Sequence, residues 1–299
     1  MFTHFLLASL GLLAGASEPL RPKSFDCGTN TAHASEEFLK TIAELHGNPN
    51  SGSPAARAAL AARNANTGPI SIKTVFHIVA KTDTKSSITN NMPSAQLDAL
   101  NAAYKPYDIP FNLINVTWSI NDAWAVGEKV DDDAMKKALR QGNYKTLNLY
   151  FQTDLSGGVL GRCTLPSSIA NGASDQTVYF SDGCNINANT MPAGSMDGYN
   201  KGKTAVHETG HWLGLLHTFE GYSCDGPGDY IDDTPVESTA TDGCPTTPVK
   251  RSCPNQQASG QSDPIHNYMD YSVDVCYEGF TDLQVQRMRS MWGLYRAAN

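Results

Sequence analysis

The sequence predicts an α/β fold with a twisted, mostly parallel β-sheet, followed by a less regular region rich in cysteine. Between residues 70 and 151, segments typical of strands alternate with segments typical of helices, an order that favours parallel strands joined by helical crossovers. Hydrophobic residues make up 40% of the 299 residues and charged residues 17%, so the chain can fill a core. We find no internal repeat, and the length suits one large domain or two small ones.

The strands and helices of this region are predicted from separate signals. Side chains alternate between apolar and polar, as in half-buried strands, in the first of the predicted strands. The predicted strands cover residues 72–79, 111–118 and 147–151. Between them we expect a helix that Ser94 caps and that ends near Pro106, and a second helix over residues 132–141.

The amino terminus has the pattern of a signal peptide. Its apolar run, residues 5–14, is shorter than the ~17 residues that a membrane span needs. The run ends in Ala14-Gly15-Ala16, with small residues at the two positions that a signal peptidase reads. We therefore assign residues 1–16 to a signal peptide and expect a secreted, extracellular protein without a membrane span. In such a protein the sequon at Asn115 predicts a surface position and an N-linked glycan.

Residues 17–66 resemble a prosegment in their composition and pattern. A helix is expected over 35–45, where Phe38, Ile42 and Leu45 recur at helical spacing. Residues 55–64 favour a helix but have almost no apolar face, so we expect this helix to be exposed and easily cleaved. The alternative is a small accessory subdomain that is kept.

The chain is acidic. It has 30 acidic and 22 basic residues, a formal net charge of −8 and an isoelectric point near 5.4. No cluster of Lys and Arg offsets this charge, so the electrostatic attraction on which nucleic-acid binding depends is missing. Nucleic-acid partners are therefore excluded.

Seven cysteines are present, and an extracellular location favours their pairing. Six lie in the second half of the chain, whereas Cys27 stands far upstream and is the natural unpaired residue. Six cysteines allow 15 pairings, and their spacing alone does not select one of them.

The segment His207-Glu-Thr-Gly-His-Trp-Leu-Gly-Leu-Leu-His217 predicts a metal site. On a helix, His207 and His211 project from one face and can bind a single ion. Gly214 permits a positive φ, so the helix can end there and the chain can turn to bring His217 to the same ion. Three protein ligands with an open fourth position for water are typical of catalytic zinc (Zn²⁺), whereas structural zinc has four. The alternative is a group of three structural histidines.

Glu208 follows the first of these histidines and does not bind the ion itself. Water on zinc has a pKa of about 7, so a neighbouring carboxylate can accept its proton at neutral pH and pass it to a leaving amine. The pattern therefore predicts hydrolysis of an amide, with Glu208 as the general base.

These residues resemble the extended zinc signature of the metzincin metalloproteases. Residues 267–271, Asn-Tyr-Met-Asp-Tyr, match the turn with a methionine that lies beneath the metal in that group. Together with residues 212–219, 228–235 and 280–288, they resemble the pappalysin-like family, most closely its secreted fungal extracellular metalloproteases. The resemblance extends from about residue 70 to the end, with Cys27 as an outlying match.

The resemblance implies a fold and several residue roles. A catalytic domain over 67–299 would be divided by a cleft into an upper subdomain, to about residue 214, and an irregular lower subdomain over 215–299 joined by disulfides. Met269 would pack beneath the metal. Tyr271 would stabilise the oxyanion of the reaction, unless it is only a packed aromatic residue of the turn.

The resemblance also implies roles for the cysteines. Cys27 would place its thiolate on the zinc of a latent form, in the position that the catalytic water needs. The alternative is that Cys27 is paired or simply free. The implied disulfides are Cys224 with Cys253, Cys244 with Cys276, and Cys163 with Cys184.

Some further signals are weaker. Four acidic residues after the third histidine could bind calcium (Ca²⁺), or they could form a solvated loop. They are Asp225, Asp229, Asp232 and Asp233. Asp274 would favour a basic substrate residue just after the scissile bond, or would act as a cap or in a salt bridge. Residues 158–166 could be the edge strand with which a substrate pairs, or an ordinary buried strand.

The remaining motifs are assigned to structure. We interpret His77 and His266 as structural histidines, because neither has a partner at ligand spacing. After Thr281, a capping pattern with Gln284 predicts a C-terminal helix that packs on the sheet.

The sequence as a whole therefore predicts a secreted zinc endopeptidase, made as a latent zymogen and acting on proteins or peptides as a monomer. Two alternatives come from other classes of protein. One is a catalytically silent binding protein with the same fold, and the other is a zinc hydrolase of small amides.

Overall fold

The computed structural model describes residues 25–47, 54–65, 68–169 and 176–297. The predicted signal peptide lies outside these residues. In the described part of the chain, no helix has both the length and the apolar character needed to cross a bilayer.

Five strands form one sheet in the order β2-β1-β3-β5-β4. They are β1 (Ile72–Ala80), β2 (Phe111–Ile120), β3 (Leu147–Gln152), β4 (Gly161–Cys163) and β5 (Cys184–Asn187). All neighbours are parallel except β4, which runs antiparallel to β5 at one edge of the sheet. The predicted α/β fold with a mostly parallel sheet is therefore confirmed.

Eight α-helices surround this sheet in the described ranges. They are α1 (Glu36–Gly47), α2 (Pro54–Ala65), α3 (Met92–Tyr104), α4 (Asp122–Val126), α5 (Lys129–Leu139), α6 (Gln176–Ser181), α7 (Lys203–Trp212) and α8 (Asp282–Met291). Short 3₁₀ turns cover Thr31–His33, Lys85–Ser87, Lys105–Tyr107 and Ala188–Thr190, and α8 continues into a π-helical turn, Trp292–Arg296.

Helix α3 begins three residues before the position that the sequence suggested. Its N-cap is Asn91, and Pro93 lies in its first turn, where the missing N–H of proline costs no hydrogen bond. The prediction that Ser94 caps this helix is therefore wrong. Similarly, α5 begins at Lys129 rather than at residue 132 and ends at Leu139.

The main core lies between one face of the sheet and helices α3 and α7. Phe76 and Phe151 pack edge to face, with 5.2 Å between ring centroids, in the same cluster as Tyr104 and Trp212. The opposite face of the sheet is covered by α4 and α5, where Met135 packs on β3. Strands β1 and β3 are buried almost throughout because both faces of the sheet are covered. The capped C-terminal helix α8 joins the main core, as predicted, through Met288.

Residues 215–281 contain no helix or strand, and two disulfides connect their loops. The disulfides of this region are Cys224–Cys253 and Cys244–Cys276, and a third, Cys163–Cys184, joins β4 to β5. These are the three pairs that the family resemblance implied. The seventh cysteine, Cys27, is free and buried.

The first two helices pack on the rest of the molecule. In α1, Phe38 and Ile42 are fully buried in a cluster with Leu216, Met291 and Tyr295. Helix α2 lies against α8, with Ala59 fully buried. Most of the described side chains of α2 are exposed, as expected, and Ala59 is the exception, because a small alanine side chain lets two helices approach closely.

Candidate active site

Helix α7 carries the first half of the site. His207 and His211 lie one turn apart and face the same point, and Glu208 lies beside them. The helix ends at Trp212, and the chain reverses at Gly214, which has φ of 92°. This turn brings His217 back to the other two histidines.

The ring nitrogens of the three histidines converge with one sulfur atom. His211 Nε2 is 3.0 Å from His207 Nε2, 3.2 Å from His217 Nε2 and 3.5 Å from Cys27 Sγ. All four side chains are buried, and their donor atoms lie within 4.8 Å of one another. The structure thus brings together all four residues that the sequence suggested as metal ligands.

Backbone carbonyl groups fix which nitrogen carries a proton in two of the three histidines. His207 Nδ1 lies 2.7 Å from Tyr268 O, and His211 Nδ1 lies 2.9 Å from Leu215 O. A carbonyl oxygen only accepts hydrogen bonds, so both Nδ1 atoms are protonated and both Nε2 atoms are bare. Burial lowers the pKa of both histidines well below the ordinary value, which keeps them neutral. Bare nitrogens at this distance repel each other unless a cation lies between them.

The donor set fits zinc in chemistry and in size. Tetrahedral zinc, with bonds of ~2.05 Å to nitrogen and ~2.3 Å to sulfur, places nitrogens ~3.3 Å apart and nitrogen ~3.6 Å from sulfur. In this structure two nitrogen–nitrogen distances are 3.0 Å and 3.2 Å, and the nitrogen–sulfur distance is 3.5 Å. Three imidazoles and one sulfur are donors that zinc prefers, whereas calcium and magnesium prefer oxygen.

Burial and the Glu208 carboxylate raise the pKa of the Cys27 thiol well above its ordinary value. A divalent cation at the cluster would act in the opposite direction, because a thiol that coordinates a metal loses its proton. Occupancy of the cluster by a metal and ionisation of Cys27 are therefore coupled.

Glu208 lies beneath strand β4 and is fully buried. Its Oε2 accepts a hydrogen bond of 3.3 Å from the Thr29 hydroxyl, while no described residue donates a hydrogen bond to Oε1. Burial raises the pKa of Glu208 to about 8. A carboxyl group with such a pKa can both accept and release a proton near neutral pH, as a general base requires.

The space for Glu208 depends on Gly161. A Cβ atom at residue 161 would come within 2.7 Å of Glu208 Cδ, closer than real Cβ atoms approach other atoms. In the same way, a Cβ atom at Gly210 would overlap the sulfur of Met269, which is fully buried beneath α7. Gly161 and Gly210 therefore let strand β4 and the methionine turn pack closely against α7.

Tyr271 reaches the cluster from the methionine turn. Its hydroxyl group lies 3.3 Å from His217 Nε2, accepts a hydrogen bond of 3.1 Å from Cys27 N and donates one of 3.3 Å to Cys27 O. Burial and the nearby Cys27 raise the pKa of Tyr271, so the hydroxyl keeps its proton. The side chain is therefore a hydrogen-bond donor within reach of the cluster that His207, His211, His217 and Cys27 form.

The segment around Cys27 pairs with strand β4 as an additional short strand. Leu160 N donates to Asp26 O at 2.7 Å, and Gly28 N donates to Gly161 O at 2.8 Å. The pairing of Cys27 with Gly161 is parallel. This places β4 at an open edge of the sheet, beside the metal cluster, where an extended peptide can bind.

Three residues of the site were missed by the sequence analysis. Phe25 is buried against His207, Gly161 makes room for Glu208, and the carboxylate of Glu220 lies 3.6 Å from His217 Nδ1. Glu220 also accepts a hydrogen bond of 3.0 Å from the Thr31 hydroxyl. Burial alone would raise the pKa of Glu220, but hydrogen bonds from His217 and Thr31 hold it below its ordinary value. The spacing of three residues from His217 was the only sequence signal for Glu220.

The acidic residues suggested as calcium ligands have separate partners in the structure. Asp232 lies 3.0 Å from His46, Asp233 binds the first turn of α8 at Leu283 N, and buried Asp229 accepts a hydrogen bond from Ile231 N. Asp225 is 3.5 Å from Gln256 Nε2. Calcium binding stays a prediction.

Asp274 binds backbone groups at the start of α7. Its Oδ2 accepts hydrogen bonds from Lys201 N at 2.7 Å and from Lys203 N at 3.5 Å. Burial raises the pKa of Asp274 to about 6. Asp274 therefore caps the start of α7, which was the alternative to a substrate-binding role.

His77 and His266 lie outside the cluster, as predicted. His77 is buried between Thr117 Oγ1, at 2.8 Å, and Asn148 Oδ1, at 2.9 Å, and burial lowers its pKa to about 4. His266 Nδ1 lies 2.6 Å from Cys276 O. Asn115 is exposed on β2, in agreement with the surface position expected for it. Its N-linked glycan stays a prediction.

Comparisons with known proteins identify the family to which this chain belongs. Residues 129–292 match the model of a metallopeptidase family, peptidase M43, described as pregnancy-associated plasma protein-A. The chain is 46% identical over 279 residues to an extracellular metalloprotease of Aspergillus fumigatus, covering 84% of this chain and 82% of the relative. It is 43% identical over 300 residues to an extracellular metalloprotease of Neurospora crassa, covering 98% and 97% of the two chains. The chain therefore belongs to this metallopeptidase family.

Solved structures show the same fold. A promirolysin mutant of Tannerella forsythia gives a TM-score of 0.69 at 24% identity, covering 89% of this chain and 93% of the other. Mature mirolysin in complex with a cleaved peptide gives 0.63 at 26% identity, covering 78% and 98%. The predicted family is confirmed by these comparisons.

We expect Gly161→Ala to lower kcat by about 10²-fold, because a misplacement of about 1 Å at a reacting group has that effect. The added methyl group would displace Glu208 and leave the three histidine nitrogens in place. The measurements are peptide hydrolysis and bound metal after maturation. Gly68→Ala is the control, since a Cβ atom there meets nothing within 4 Å. Unchanged kcat in Gly161→Ala would contradict the assigned position of Glu208.

We expect Glu220→Gln to weaken metal binding by about 10- to 100-fold, because a carboxylate beside a ligating histidine orients it and raises its basicity. Metal affinity would be measured by competition with a chelating dye. The matched control is Glu278→Gln, which removes a carboxylate at the same distance, 3.6 Å, from an exposed histidine, His266. Equal affinities for both variants would show that Glu220 does not position His217.

Proposed function

We propose that the protein is an extracellular zinc endopeptidase that is made as a latent zymogen. The observation that carries this proposal is the convergence of three histidine nitrogens and the Cys27 sulfur beside a buried carboxylate. Membership in a metallopeptidase family supports the same function, and the names of the fungal relatives support an extracellular location. In the proposed division of the chain, residues 1–16 are the signal peptide, 17–66 the prosegment and 67–299 the catalytic domain.

His207, His211 and His217 would hold the zinc, and in the latent form Cys27 would be the fourth ligand. When bound, zinc would supply a positive charge that polarises both the scissile carbonyl group and the attacking water. The fit of the donor distances to tetrahedral zinc supports this assignment. Because all four donors come from one chain, the site needs no second copy of the protein, which agrees with the expected monomer.

Glu208 would move the protons of the reaction. Its Oε1 has no hydrogen-bond donor among the described residues, so it is free to accept a proton from the attacking water. The same carboxyl group then passes the proton to the leaving amine. A pKa raised to about 8 by burial suits a group that must do both near neutral pH.

Two other features would bind and orient the peptide. The open edge of β4 offers backbone hydrogen bonds to an extended chain, as it does to residues 26–28. The Tyr271 hydroxyl, 3.3 Å from His217 Nε2, would donate a hydrogen bond to the oxygen of the reacting carbonyl group. Protein and peptide substrates follow from this arrangement, since small amides do not need a strand edge.

Latency would come from occupation of the site by the prosegment. Cys27 Sγ would lie where the attacking water is needed. The Cys27 backbone bonds to the Tyr271 hydroxyl, and the backbone of its neighbours Asp26 and Gly28 bonds to the edge at Leu160 and Gly161. Removal of this segment would open the fourth metal position, the strand edge and the tyrosine together.

We expect Glu208→Gln to lower kcat by about 10²- to 10⁴-fold, the usual contribution of a general base. The wild-type and variant zymogens would be matured by the same added protease and incubated with a peptide library, with and without a chelator. The variant should retain its metal, and the control Glu278→Gln should retain full activity.

Undiminished cleavage by Glu208→Gln would remove the proposed mechanism. No cleavage of any peptide by the matured wild type would favour a silent binding protein, and cleavage of small amides alone would favour a small-amide hydrolase. Cleavage that a chelator does not reduce would contradict a metal-dependent reaction.

We expect Cys27→Ser to shorten the lag before activity, because a hydroxyl group binds zinc more weakly than a thiolate does. The rate of self-activation would be followed by peptide hydrolysis at equal zymogen concentrations. Lys40→Ala is the control, since Lys40 lies in α1 with its side chain 75% exposed.

A spectroscopic measurement separates coordination from a loss of packing. With cobalt in place of zinc, the wild-type zymogen should show a sulfur-to-metal charge-transfer band that Cys27→Ser lacks. Equal lag times in the two zymogens, or no such band in the wild type, would contradict coordination by Cys27.

A further inference from the structure

The two edges of the sheet differ in what covers them. The outer side of β4 pairs with residues 26–28 through backbone hydrogen bonds of 2.7 Å and 2.8 Å. Strand β2 lies at the opposite edge, and within the described ranges no other strand pairs with its outer side. Strands β1, β3 and β5 separate it from β4. The edge of β2 is therefore the open edge of the sheet, on the side away from the proposed active site.

The composition of β2 gives this edge no protection against pairing with another chain. Its ten residues, Phe111–Ile120, include no charged residue and no proline. Three large apolar side chains on it are exposed, Ile114 by 51%, Trp118 by 47% and Ile120 by 59%. Soluble proteins usually place lysine, proline or a covering element at such an edge, because a long apolar edge strand pairs with other molecules.

Two local features protect only the first part of β2. The Asn101 side-chain amide accepts a hydrogen bond of 2.9 Å from Phe111 N and donates one of 3.0 Å to Phe111 O, as a neighbouring strand would. The register with β1 then skips Ile114, which is the extra residue of a β-bulge. A bulge bends an edge strand and interrupts its pairing. Residues 115–120 follow without either device.

The sequon of the chain falls in this unprotected part. Asn115-Val116-Thr117 is the single N-x-S/T sequence in the 299 residues. Asn115 is exposed, and its Nδ2 donates a hydrogen bond of 3.0 Å to Gln141 Oε1. This bond uses one hydrogen of the amide, so the other can be replaced by a sugar. The site for a bulky, hydrated group thus lies on the strand where pairing with another molecule has to be prevented.

We infer that an N-linked glycan on Asn115 covers the open edge of β2 and keeps the secreted protein from associating through it. Attachment forms a bond between Asn115 Nδ2 and the first carbon of an oligosaccharide carried on a lipid diphosphate. The amide loses one proton, and the lipid diphosphate leaves. This inference goes beyond the proposed function, since it uses the secretory route but not the peptidase activity.

The glycan acts by excluding a second strand rather than by burying apolar side chains. An added strand would lie about 4.8 Å from β2, closer than a branched oligosaccharide on the same strand allows. Asn115 points to the face of the sheet that α5 covers, as its contact with Gln141 shows, whereas Val116 packs against the main core on the other face. Alternation places Trp118 on the face of Val116, so its ring stays exposed beside the glycan.

The test uses the full-length zymogen, secreted by a eukaryotic host that adds N-linked glycans, because residues 26–28 then cover the edge of β4. Mass spectrometry before and after endoglycosidase treatment should show a glycan on Asn115. Sedimentation velocity at a series of concentrations measures association. Wild type should be monomeric, and Asn115→Gln should have an association constant at least about tenfold higher, a factor that several cross-strand pairs together supply.

Asn112→Gln is the matched control for the loss of the glycan. It changes an exposed asparagine of the same strand that lies outside the sequon, so the protein should stay glycosylated and monomeric. An Asn115 that carries no glycan in the secreted wild type would overturn the inference, and so would an Asn115→Gln protein that stays monomeric.

A second substitution shows whether the association uses the edge of β2. Adding Trp118→Lys to Asn115→Gln should restore the monomer, because a lysine on an edge strand opposes pairing. Adding Val249→Lys, at a similarly exposed position in the lower region, should not restore it. Association that persists with Trp118→Lys would place the contact on another surface and contradict the role given to the glycan.

A further measurement does not depend on the folding of any variant. Endoglycosidase trimming of the folded, secreted wild type to a single sugar should raise its association, and the same treatment of Asn115→Gln should have no effect. Unchanged association of the trimmed wild type would overturn the inference. A glycosylated wild type that dimerises, and that Trp118→Lys dissociates, would instead show that the edge is an interface between two copies.

These outcomes are separate from those of the proposed function. Strand β2 lies at the opposite edge of the sheet from β4, so peptide hydrolysis by matured wild type and matured Asn115→Gln should be equal at concentrations where both are monomeric. Loss of the inference about the glycan would leave the endopeptidase in place, and absence of chelator-sensitive cleavage would leave the association measurements unaffected.

Discussion

The convergence of three histidine nitrogens on one point is the constraint on which the rest of the structure depends. Two of these nitrogens are bare because the opposite nitrogens donate to the carbonyl groups of Leu215 and Tyr268. One carbonyl comes from the turn that ends α7, and the other comes from the methionine turn 61 residues beyond His207. The irregular lower region therefore does more than cover the cleft, since its backbone sets the protonation of the ligands.

The edge strand β4 forms the second part of the site, beside Glu208. Strand β4 is short and antiparallel to its neighbour, and its outer side is open to a further strand. Glu208 fits beneath it because residue 161 is glycine, so the proposed base and the peptide-binding edge lie together. The proposed prosegment uses both features, through Thr29 on the carboxylate and through backbone pairing with β4. In the proposed function, latency and substrate binding would therefore depend on the same surfaces.

The proposed prosegment contacts the rest of the chain at several points that differ in kind. The apolar face of α1 packs beside Leu216, Thr31 binds the carboxylate that faces His217, and Phe25 fills an aromatic pocket. Apolar burial supplies most of the free energy of such an interaction, while the polar contacts fix its register. A segment anchored in this way can place one sulfur atom accurately at a metal cluster.

The sequence by itself determined the features that depend on local spacing. The i, i+4 pair on α7, the turn at Gly214, the alternation that gives a parallel sheet and the odd cysteine could each be predicted from neighbouring residues. Tertiary structure alone decided the role of Gly161 in β4, the carbonyl partners of the histidines, the pocket around Phe25 and the burial of Ala59 in α2. These contacts join residues far apart in the chain, and a glycine, a backbone carbonyl group or a lone phenylalanine carries no periodic signal that would reveal its partner.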